Sequence, residues 1–165
     1  MEGRTGAHDR FRRVLSNFAT GVTIVTGRTE AGSPVGFTAN AFTSVSLDPP
    51  LVLVCADLAS ESLPVLRDSG RFAVSVLRAE DRDVALRFSQ EIRHERFVEL
   101  ALGRAPSGLP LLESALAWMD CRVRRIIEAG DHAVLIGEVM GCGGESDGRP
   151  LVFFRGEFGT FGTLE

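Results

Sequence analysis

One stretch of the chain has the residue types expected of a binding site for a flat, polar ligand. Across Gly36–Pro50, small and hydroxyl-bearing side chains dominate between two apolar segments. Small side chains let a planar heterocycle approach the backbone, whose N–H and C=O groups can pair with its polar edge. Thr38, Asn40, Ser44 and Ser46 add donors for a hydroxylated chain or a phosphate. By composition alone, the commoner interpretation of such a stretch is plain β-structure with a Thr- and Ser-rich surface.

The composition excludes several classes of chemistry. All 18 basic residues are arginine, so a Schiff-base lysine and the lysine of a Walker A phosphate loop are both absent. The net charge of −4 argues against a general nucleic-acid binder, which needs a basic surface. No G-x-G-x-x-G follows a strand, so a Rossmann dinucleotide site is not expected either.

Two short motifs resemble catalytic signatures but lack their partners. Gly144–Gly148 matches G-x-S-x-G, yet no histidine follows His132 to complete a triad, so we predict a turn there. His94-Glu95 begins like H-E-x-x-H, but Val98 occupies the position of the second histidine. With three histidines and no carboxylate cluster beside them, no metal centre is expected. The sequence leaves open whether the fold brings a cysteine and a histidine together as a nucleophile pair.

The cysteines and the hydropathy pattern indicate a compartment. The three cysteines are odd in number and form no C-x-x-C, which argues against a disulfide framework and favours a reducing cytoplasm. The first residues are rich in charge and have no apolar signal region. The longest clean apolar run, Leu51–Ala56, is far too short to cross a bilayer.

Hydrophobic periodicity predicts the elements that position the candidate site. Residues 9–19 carry an apolar stripe at i, i+3, i+4, i+7 and i+8, which predicts a helix that ends at Gly21. Helices are also expected at 60–69, with Ser60 or Ser62 as N-cap and Gly70 as the stop, and at 79–90. Strands are predicted at 22–26, 37–41, 43–47, 51–56, 72–77, 115–127, 132–140 and 150–154.

The connections between these elements favour one architecture. Gly130-Asp131 is expected to form a hairpin turn, 141–149 a loop, and 91–110 an irregular excursion that covers a site or contacts a partner. Because the strands cluster without intervening helices, a mainly β, closed antiparallel barrel with peripheral helices is predicted. The length of 165 residues fits a single domain over residues 1–165.

Five segments together resemble the flavin reductase-like family. They are FATGVTIVT at 18–26, GFTANAFTSVSLDPPLVLVC at 36–55, SGRFAVSVL at 69–77, GDHAVLIGEV at 130–139 and PLVFFRG at 150–156. The likeness covers roughly residues 9–158, with the motifs in the family's order. It implies an FMN-binding split barrel of Greek-key type and a homodimer with each flavin near the subunit interface.

The resemblance also implies an activity. Members of the family are small reductases that pass a hydride from NADH or NADPH to FMN or FAD and supply reduced flavin to a separate monooxygenase. Two alternatives stay open: a flavoprotein that retains its flavin and acts on its own small-molecule substrate, and a non-catalytic split-barrel module. The sequence does not choose between FMN and FAD, or between NADH and NADPH.

Site residues carry over from the family position by position. Those implied for the flavin ring and its hydroxylated chain are Thr38, Ala39, Asn40, Ala41, Ser44, Val45, Ser46, Cys55, Ala56 and Asp57. Ser60 and Ser62 match a pair that contacts phosphate, which suits a helix N-terminus. Phe88 matches an aromatic position near the far end of the flavin, and His132 matches the histidine associated with nicotinamide binding, the one catalytic residue expected.

Several of these residues also have a purely structural interpretation. Cys55 suits a small buried hydrophobe, Asp57 a turn former and Phe88 a core side chain. Glu61, between the two serines, stands where relatives often carry a basic residue. An acid beside a phosphate weakens anion binding unless it points away, so modest phosphate affinity is expected.

Overall fold

The computed structural model describes residues 2–90, 95–144 and 147–162. Its helices are α1 (Glu2–Leu15), α2 (Ser62–Ser69) and α3 (Arg82–Ser89), the last preceded by a 3₁₀ turn at Ala79–Asp81. Its strands are β1 (Thr20–Gly21), β2 (Thr23–Arg28), β3 (Pro34–Ala39), β4 (Phe42–Leu47), β5 (Pro50–Asp57), β6 (Arg71–Val76), β7 (Leu102–Arg104), β8 (Pro110–Leu112), β9 (Ala117–Ala129), β10 (His132–Gly144), β11 (Leu151–Phe154) and β12 (Glu157–Thr160).

A seven-stranded antiparallel sheet organises the molecule, in the order β3-β2-β6-β9-β10-β5-β4. A three-stranded sheet, β1-β11-β12, and a two-stranded sheet, β7-β8, lie beside it. The chain passes directly from β3 to β4, which are the two opposite edges of the large sheet. Only two residues, Asn40 and Ala41, separate these strands, so the two edges meet at this end and the sheet curls. The Cys55 N–H donates to the Ala41 C=O at 3.0 Å, which extends the pairing of β5 with β4 by one residue. The expected mainly β, antiparallel fold with few helices is confirmed.

The apolar core lies on both faces of β2. Val25 faces the barrel interior, where it packs with Val54, Phe72 and Leu135 and with side chains of α2. Val22 and Ile24 face a second core beneath α3. Because both faces are covered, the hydroxyls of Thr23 and Thr26 are buried, and each donates to a backbone carbonyl, of Ala39 and Pro110 respectively.

The first helix differs from the prediction of 9–19. It spans Glu2–Leu15, and Gly21 lies in β1 rather than at the helix end. Two polar side chains end it: Ser16 Oγ and Asn17 Nδ2 both donate to the Arg13 carbonyl, at 2.9 and 2.8 Å. In a longer helix, the Arg13 carbonyl would accept a bond from the backbone N–H four residues later. The two side chains take the place of that bond. The apolar stripe is present but faces solvent in the single chain.

The predicted helices at 60–69 and 79–90 are present with shifted starts. Helix α2 begins at Ser62 with Glu61 in the cap position and no side-chain cap bond, so the expectation of a serine N-cap is wrong. Ser60 Oγ instead accepts a bond from the Ser62 N–H at 3.3 Å, within a turn. Gly70 ends the helix with φ 64°, as predicted, because glycine tolerates the left-handed conformation.

Two predicted loops contain regular structure. The excursion 91–110 includes β7, and β8 begins at its last residue, although residues 91–94 lie outside the described part. Strand β10 continues to Gly144, so the predicted loop 141–149 starts late, and Ser146 of the G-x-S-x-G match is not among the described residues. The Gly130-Asp131 hairpin is confirmed between β9 and β10, with Gly130 at φ 65°. None of the helices in the described ranges is long and apolar enough to span a membrane.

Candidate functional site

A cleft of about 580 Å³ opens where β3, β5 and β10 meet the ends of α2 and α3. The end of β3 and the link to β4 supply one wall, the end of β5 and the turn before α2 a second, and α3 a third. The lining residues are Phe37, Thr38, Ala39, Asn40, Ala41, Cys55, Asp57, Ala59, Ser60, Glu61, Phe88, Ser89, Gln90, Arg96 and His132.

The wall at 37–41 combines small side chains with an edge strand. Strand β3 pairs with β2 on one side and is the edge of the large sheet on the other. An edge strand presents backbone N–H and C=O groups without a strand partner. With only alanine side chains at 39 and 41, a planar ring can approach this backbone, which fits the group that the sequence predicts.

The Thr38 side chain has a role that its sequence position did not reveal. Its Oγ1 donates to the Ala85 carbonyl of α3 at 2.6 Å. A hydroxyl has one hydrogen, so Thr38 can only accept a bond from a ligand while this contact persists. Thr38 therefore ties α3 to the cleft wall, and Asn40, which is exposed at the end of β3, presents the amide donors at this point.

The wall at 55–61 is shaped by short local bonds. Asp57 Oδ1 accepts a bond from the Ala59 N–H at 2.8 Å. Asp57 therefore forms a turn, as its structural interpretation from the sequence predicted. Cys55 is half-buried, and burial raises the pKa of its thiol above the usual value. A thiol is a poor nucleophile compared with its thiolate. Cys55 and His132 both line the cleft, but the described side-chain contacts include no bond between them.

His132 stands opposite Asp57 at the start of β10, with the β5–β10 register pairing the two residues. Its Nδ1 lies 2.7 Å from Oδ1 of Asp131. This bond lowers the pKa of the Asp131 carboxyl, so the group is a carboxylate at neutral pH and can only accept. Nδ1 must then carry the hydrogen, and Nε2 is left for a ligand. The imidazole is 45% exposed and is therefore reachable from the cleft.

Phe88 is both core and cleft lining. It is 1% exposed and meets Phe97 edge-to-face, with ring centroids 4.9 Å apart. Arg96 lies beside this pair, and its Nη1 and Nε donate to the carbonyls of Gly36 and Gln90 at 2.8 and 3.1 Å. These bonds join the segment after α3 to the cleft wall, so the guanidinium serves the structure of the wall.

Five of the predicted residues do not line the cleft. Ala56 and Ser62 are 1% and 2% exposed, because alternation along β5 and the first turn of α2 turn them inward. Ser44, Val45 and Ser46 lie on β4, where the β4–β5 register shifts between Ser44 and Ser46. The place of all five residues in the flavin site stays a prediction. The other nine line the cleft together: Thr38, Ala39, Asn40, Ala41, Cys55, Asp57, Ser60, Phe88 and His132.

Six lining residues were not among the sequence-based candidates. Phe37, Ala59 and Glu61 are immediate neighbours of predicted residues. Phe37 lies two residues before Ala39 on β3, so the alternation of side chains along a strand could have suggested it. Ser89, Gln90 and Arg96 reach the cleft through the packing of α3 and the segment that follows it. No local pattern marks these three, because their position depends on contacts distant in sequence.

The arrangement suits binding and orientation more than acid–base or metal chemistry. Among the residues that the structure describes, no group of three or more His, Cys, Asp or Glu side chains is placed to hold a metal. The titratable groups among the described residues that line the cleft are Cys55, Asp57, Glu61, Arg96 and His132. The site offers a wall of small residues on an edge strand and an imidazole whose orientation is fixed by Asp131.

Known proteins match the chain over nearly its whole length. A family model described as "Flavin reductase like domain" matches residues 15–162. A "Probable flavin reductase" of Rhizobium meliloti (strain 1021) is 47% identical over 130 residues, which are 78% of this chain and 41% of that protein. The chain spans 41% and 55% of the length of the first two curated relatives, both from that organism.

Solved structures share the fold. Nitrilotriacetate monooxygenase component B from Mycobacterium thermoresistibile superposes with a TM-score of 0.91 at 39% identity, covering 97% of this chain and 89% of that one. The NADH:FAD oxidoreductase SgcE6 of Streptomyces globisporus C-1027, in complex with NAD and FAD fragments, has a TM-score of 0.89 at 35% identity. That match covers 95% of this chain and 94% of the other.

Proposed function

The chain belongs to the flavin reductase-like domain family, and from this membership we propose that it is an NAD(P)H:flavin oxidoreductase. It passes a hydride from NADH or NADPH to FMN or FAD and supplies reduced flavin to a partner monooxygenase in the cytoplasm. The single observation that carries the proposal is the cleft itself, where a wall of small residues at Thr38–Ala41 lies beside His132.

The protein's part in this reaction is to bind and orient. Flavin and nicotinamide supply the redox chemistry when they are bound, so the chain needs no strong general acid or base. Residues at 38–41 hold the flavin ring against the backbone, and Asn40 donates to its polar groups. Such holding matters because bringing two reactants into the correct geometry removes much of the entropic barrier.

His132 is the residue that we assign to the nicotinamide. Because Nδ1 donates to Asp131, the Nε2 atom of the neutral ring is left to accept a bond from the carboxamide N–H of the nicotinamide, and only the protonated ring can donate to a phosphate of the nucleotide. The backbone fixes the same corner, since the Leu58 N–H donates to the Asp131 carbonyl at 3.0 Å. This contact joins the hairpin before β10 to the turn after β5, and both border the cleft.

Phosphate binding at Ser60 is proposed to be weak. Ser60 lines the cleft in the turn before α2, where the exposed N–H groups of a helix start attract anions. Glu61 lines the same corner and opposes a phosphate through its charge. Weak retention of flavin agrees with its role as a product that must leave for the oxygenase.

We also propose a homodimer. Support comes from α1, whose apolar stripe is exposed in the single chain: Phe11 is 63% exposed and Val14 64%. An isolated helix of this length is marginal in water, so a covering partner would stabilise it. A second copy of the chain, related by two-fold symmetry, is the simplest partner.

Anaerobic reduction tests the proposed activity. The purified protein is mixed with FMN or FAD and with NADH or NADPH, and the flavin absorbance is followed. Bleaching with at least one donor is expected. Absence of bleaching with every pair would contradict the proposal and favour a binding module. A protein that stays yellow through dialysis would instead favour a flavoprotein with its own substrate.

A matched pair of variants tests the site. Ala41→Phe places a ring in the cleft and should lower the rate of reduction at least tenfold. Ala31→Phe adds the same ring in the exposed turn between β2 and β3. Ala31 does not line the cleft, so this variant should leave the rate within twofold. Equal rates of flavin reduction in the two variants would show that the reaction does not take place in this cleft.

A further inference from the structure

Arg96 brings a permanent positive charge to the cleft. It is the only arginine among the described residues that line the cleft, and the chain contains no lysine. The residue is half-buried, and a guanidinium stays protonated at any ordinary pH. The carboxylates that line the cleft, Asp57 and Glu61, lie on the wall at 55–61 instead.

Neutral acceptors hold this guanidinium. Nη1 donates to the Gly36 carbonyl at 2.8 Å, and Nε donates at 3.1 Å to the Gln90 carbonyl, which also accepts a bond from Nη2. Within the described parts of the chain, no carboxylate forms an ion pair with Arg96. Backbone carbonyls carry no net charge, so the charge of the guanidinium is not neutralised. Three of its five N–H groups are engaged, which leaves two for a ligand.

The bond to Gly36 places the charge beside the wall of small residues. Gly36 lies on β3, directly before the lining residues at 37–41. The proposed function sets the flavin ring against these residues. The Arg96 guanidinium is therefore attached to the same strand as the surface that would face the ring.

The segment that carries Arg96 is fixed by its neighbours. Phe97 meets Phe88 of α3 edge-to-face, with ring centroids 4.9 Å apart. One residue further on, the Val98 carbonyl accepts a bond from Nη1 of Arg87 at 2.7 Å. The charge is thus held in position by the fold, and a charge that needs no reorganisation stabilises a reacting group more than a mobile one does.

Reduction changes the charge of the flavin ring. Hydride transfer breaks the C4–H bond of the nicotinamide and forms an N–H bond at N5 of the flavin. The nucleotide is oxidised to NAD⁺ or NADP⁺, and the electron pair leaves the previously neutral flavin ring with one negative charge. A protein charge near the ring nitrogens is one of the means by which proteins tune a flavin.

From these observations we propose that Arg96 stabilises the negative charge that the flavin gains on reduction, and so raises the affinity of the cleft for reduced flavin relative to oxidised flavin. The proposal rests on the proposed function, because that function places the flavin in the cleft. It assigns Arg96 a part in the reaction beyond its structural bonds to the wall.

Affinities for the two redox states test the proposal. Dissociation constants are measured anaerobically for oxidised FMN and FAD, and for both flavins after reduction with dithionite, so no nicotinamide nucleotide takes part. Arg96→Gln should lower the affinity for reduced flavin relative to oxidised flavin about tenfold. For a two-electron couple this is a fall of about 30 mV in the midpoint potential of the bound flavin.

Two further variants separate charge from structure. Arg96→Lys keeps the positive charge and should keep the ratio of affinities within about threefold of the unaltered protein. Arg104→Gln removes a charge from an exposed residue of β7 that does not line the cleft, and should leave the ratio unchanged. Equal weakening of both redox states by Arg96→Gln would overturn the proposal. So would a fall in the ratio in Arg96→Lys or Arg104→Gln as large as that in Arg96→Gln.

The unaltered protein offers a test that depends on no variant. A nearby cation favours the anionic form of an ionisable group, so the pKa of reduced flavin should be lower when it is bound than in free solution. Absorbance of the reduced flavin as a function of pH measures this, and a bound pKa equal to or above the free one would overturn the proposal. These outcomes leave the bleaching of flavin by NADH or NADPH intact, whereas loss of bleaching removes the proposed function instead.

Discussion

The contact between His132 and Asp131 sets the chemistry available at one corner of the cleft. The carboxylate fixes the hydrogen on Nδ1, so the neutral ring presents an acceptor at Nε2, and a protonated ring presents a donor. The Asp131 side chain is 92% exposed, so water screens the pair and its main effect is orientation. Asp131 is in this sense a positioning residue.

Replacement of His132 should act on the nicotinamide. We expect His132→Ala to raise the KM for NADH or NADPH about tenfold and the KM for flavin less than threefold, because the imidazole is assigned to the nucleotide alone. Steady-state kinetics with each substrate varied in turn measures the split. Glu30→Ala, a change in the exposed turn between β2 and β3 at a residue that does not line the cleft, is the control and should alter neither value. A larger rise in the KM for flavin than in the KM for NADH or NADPH would refute the assignment.

The same pair predicts a titration. The His132 bond lowers the pKa of Asp131 from its ordinary 3.8. A carboxylate whose pKa is lower in the folded state stabilises the fold at pH values above its unfolded-state pKa. This stabilisation is lost as the pH falls through the folded-state pKa. In His132→Ala, the carboxyl carbon of Asp131 followed by NMR should titrate at a higher pH than in the unaltered protein. An unchanged midpoint would show that the bond does not form in solution.

Close packing between elements keeps the cleft wall in place. Strand β3 is held from three directions: by β2, by α3 through Thr38, and by Arg96 through the Gly36 carbonyl. Gly36 permits this crowding, because a Cβ there would meet the Val25 carbonyl oxygen at 2.8 Å and Phe88 Cε1 at 3.0 Å. The backbone oxygen cannot move aside as a flexible side chain could.

Gly36→Ala should therefore destabilise the fold. We expect a loss of about 1–3 kcal/mol in the free energy of unfolding, the usual range for overpacking a tight site. Urea denaturation measures it, and the flavin affinity should fall in the same variant because the wall shifts. Gly21→Ala is the matched control, since a Cβ there meets nothing within 4 Å. Equal stability of the two variants would show that the wall yields readily.

At the scale of the whole molecule, helix α1 leaves its apolar side chains exposed in the single chain. Along α1 every described side chain is exposed, and the stripe of Phe11, Val14 and Leu15, continued by Phe18, faces solvent. A contiguous exposed apolar surface of this kind typically marks an interface. At its end the Arg155 N–H and Nε donate to the Ser16 carbonyl and Asn17 Oδ1, both at 2.9 Å, which ties the helix end to the β11–β12 hairpin.

The proposed dimer should depend on this stripe. The unaltered protein is expected to sediment at twice the chain mass of 17.8 kDa. The double variant Phe11→Ser, Phe18→Ser should shift the equilibrium toward monomer at least tenfold, because it removes two aromatic rings from the interface. Arg12→Ser, on the same helix but off the stripe, should not. A monomeric unaltered protein would contradict the dimer.

Local pattern was sufficient for strands β2 to β6 and β9 to β11, the Gly130 turn and the Gly70 helix stop, but not for the short strands β1, β7, β8 and β12. Period-two apolar alternation and glycine at a positive φ are properties of a few adjacent residues, so they can be read without knowing the fold. Six of the nine predicted cleft residues lie in the motifs at 36–55 and 130–139, and the family resemblance marked the other three, Asp57, Ser60 and Phe88, outside them. The helix at 9–19 was predicted from its stripe, but the stripe alone could not tell whether a core or a partner covers it.

Only the tertiary structure decided which side chains meet. Ser89, Gln90 and Arg96 reach the cleft because α3 packs on β3, and Thr38 donates to a carbonyl 47 positions further along the chain. Ala56 and Ser62 turn into the core although they adjoin cleft residues. The physical reason is that side-chain direction is set by packing against distant elements, and the free energy of that packing is not contained in any local stretch of residues.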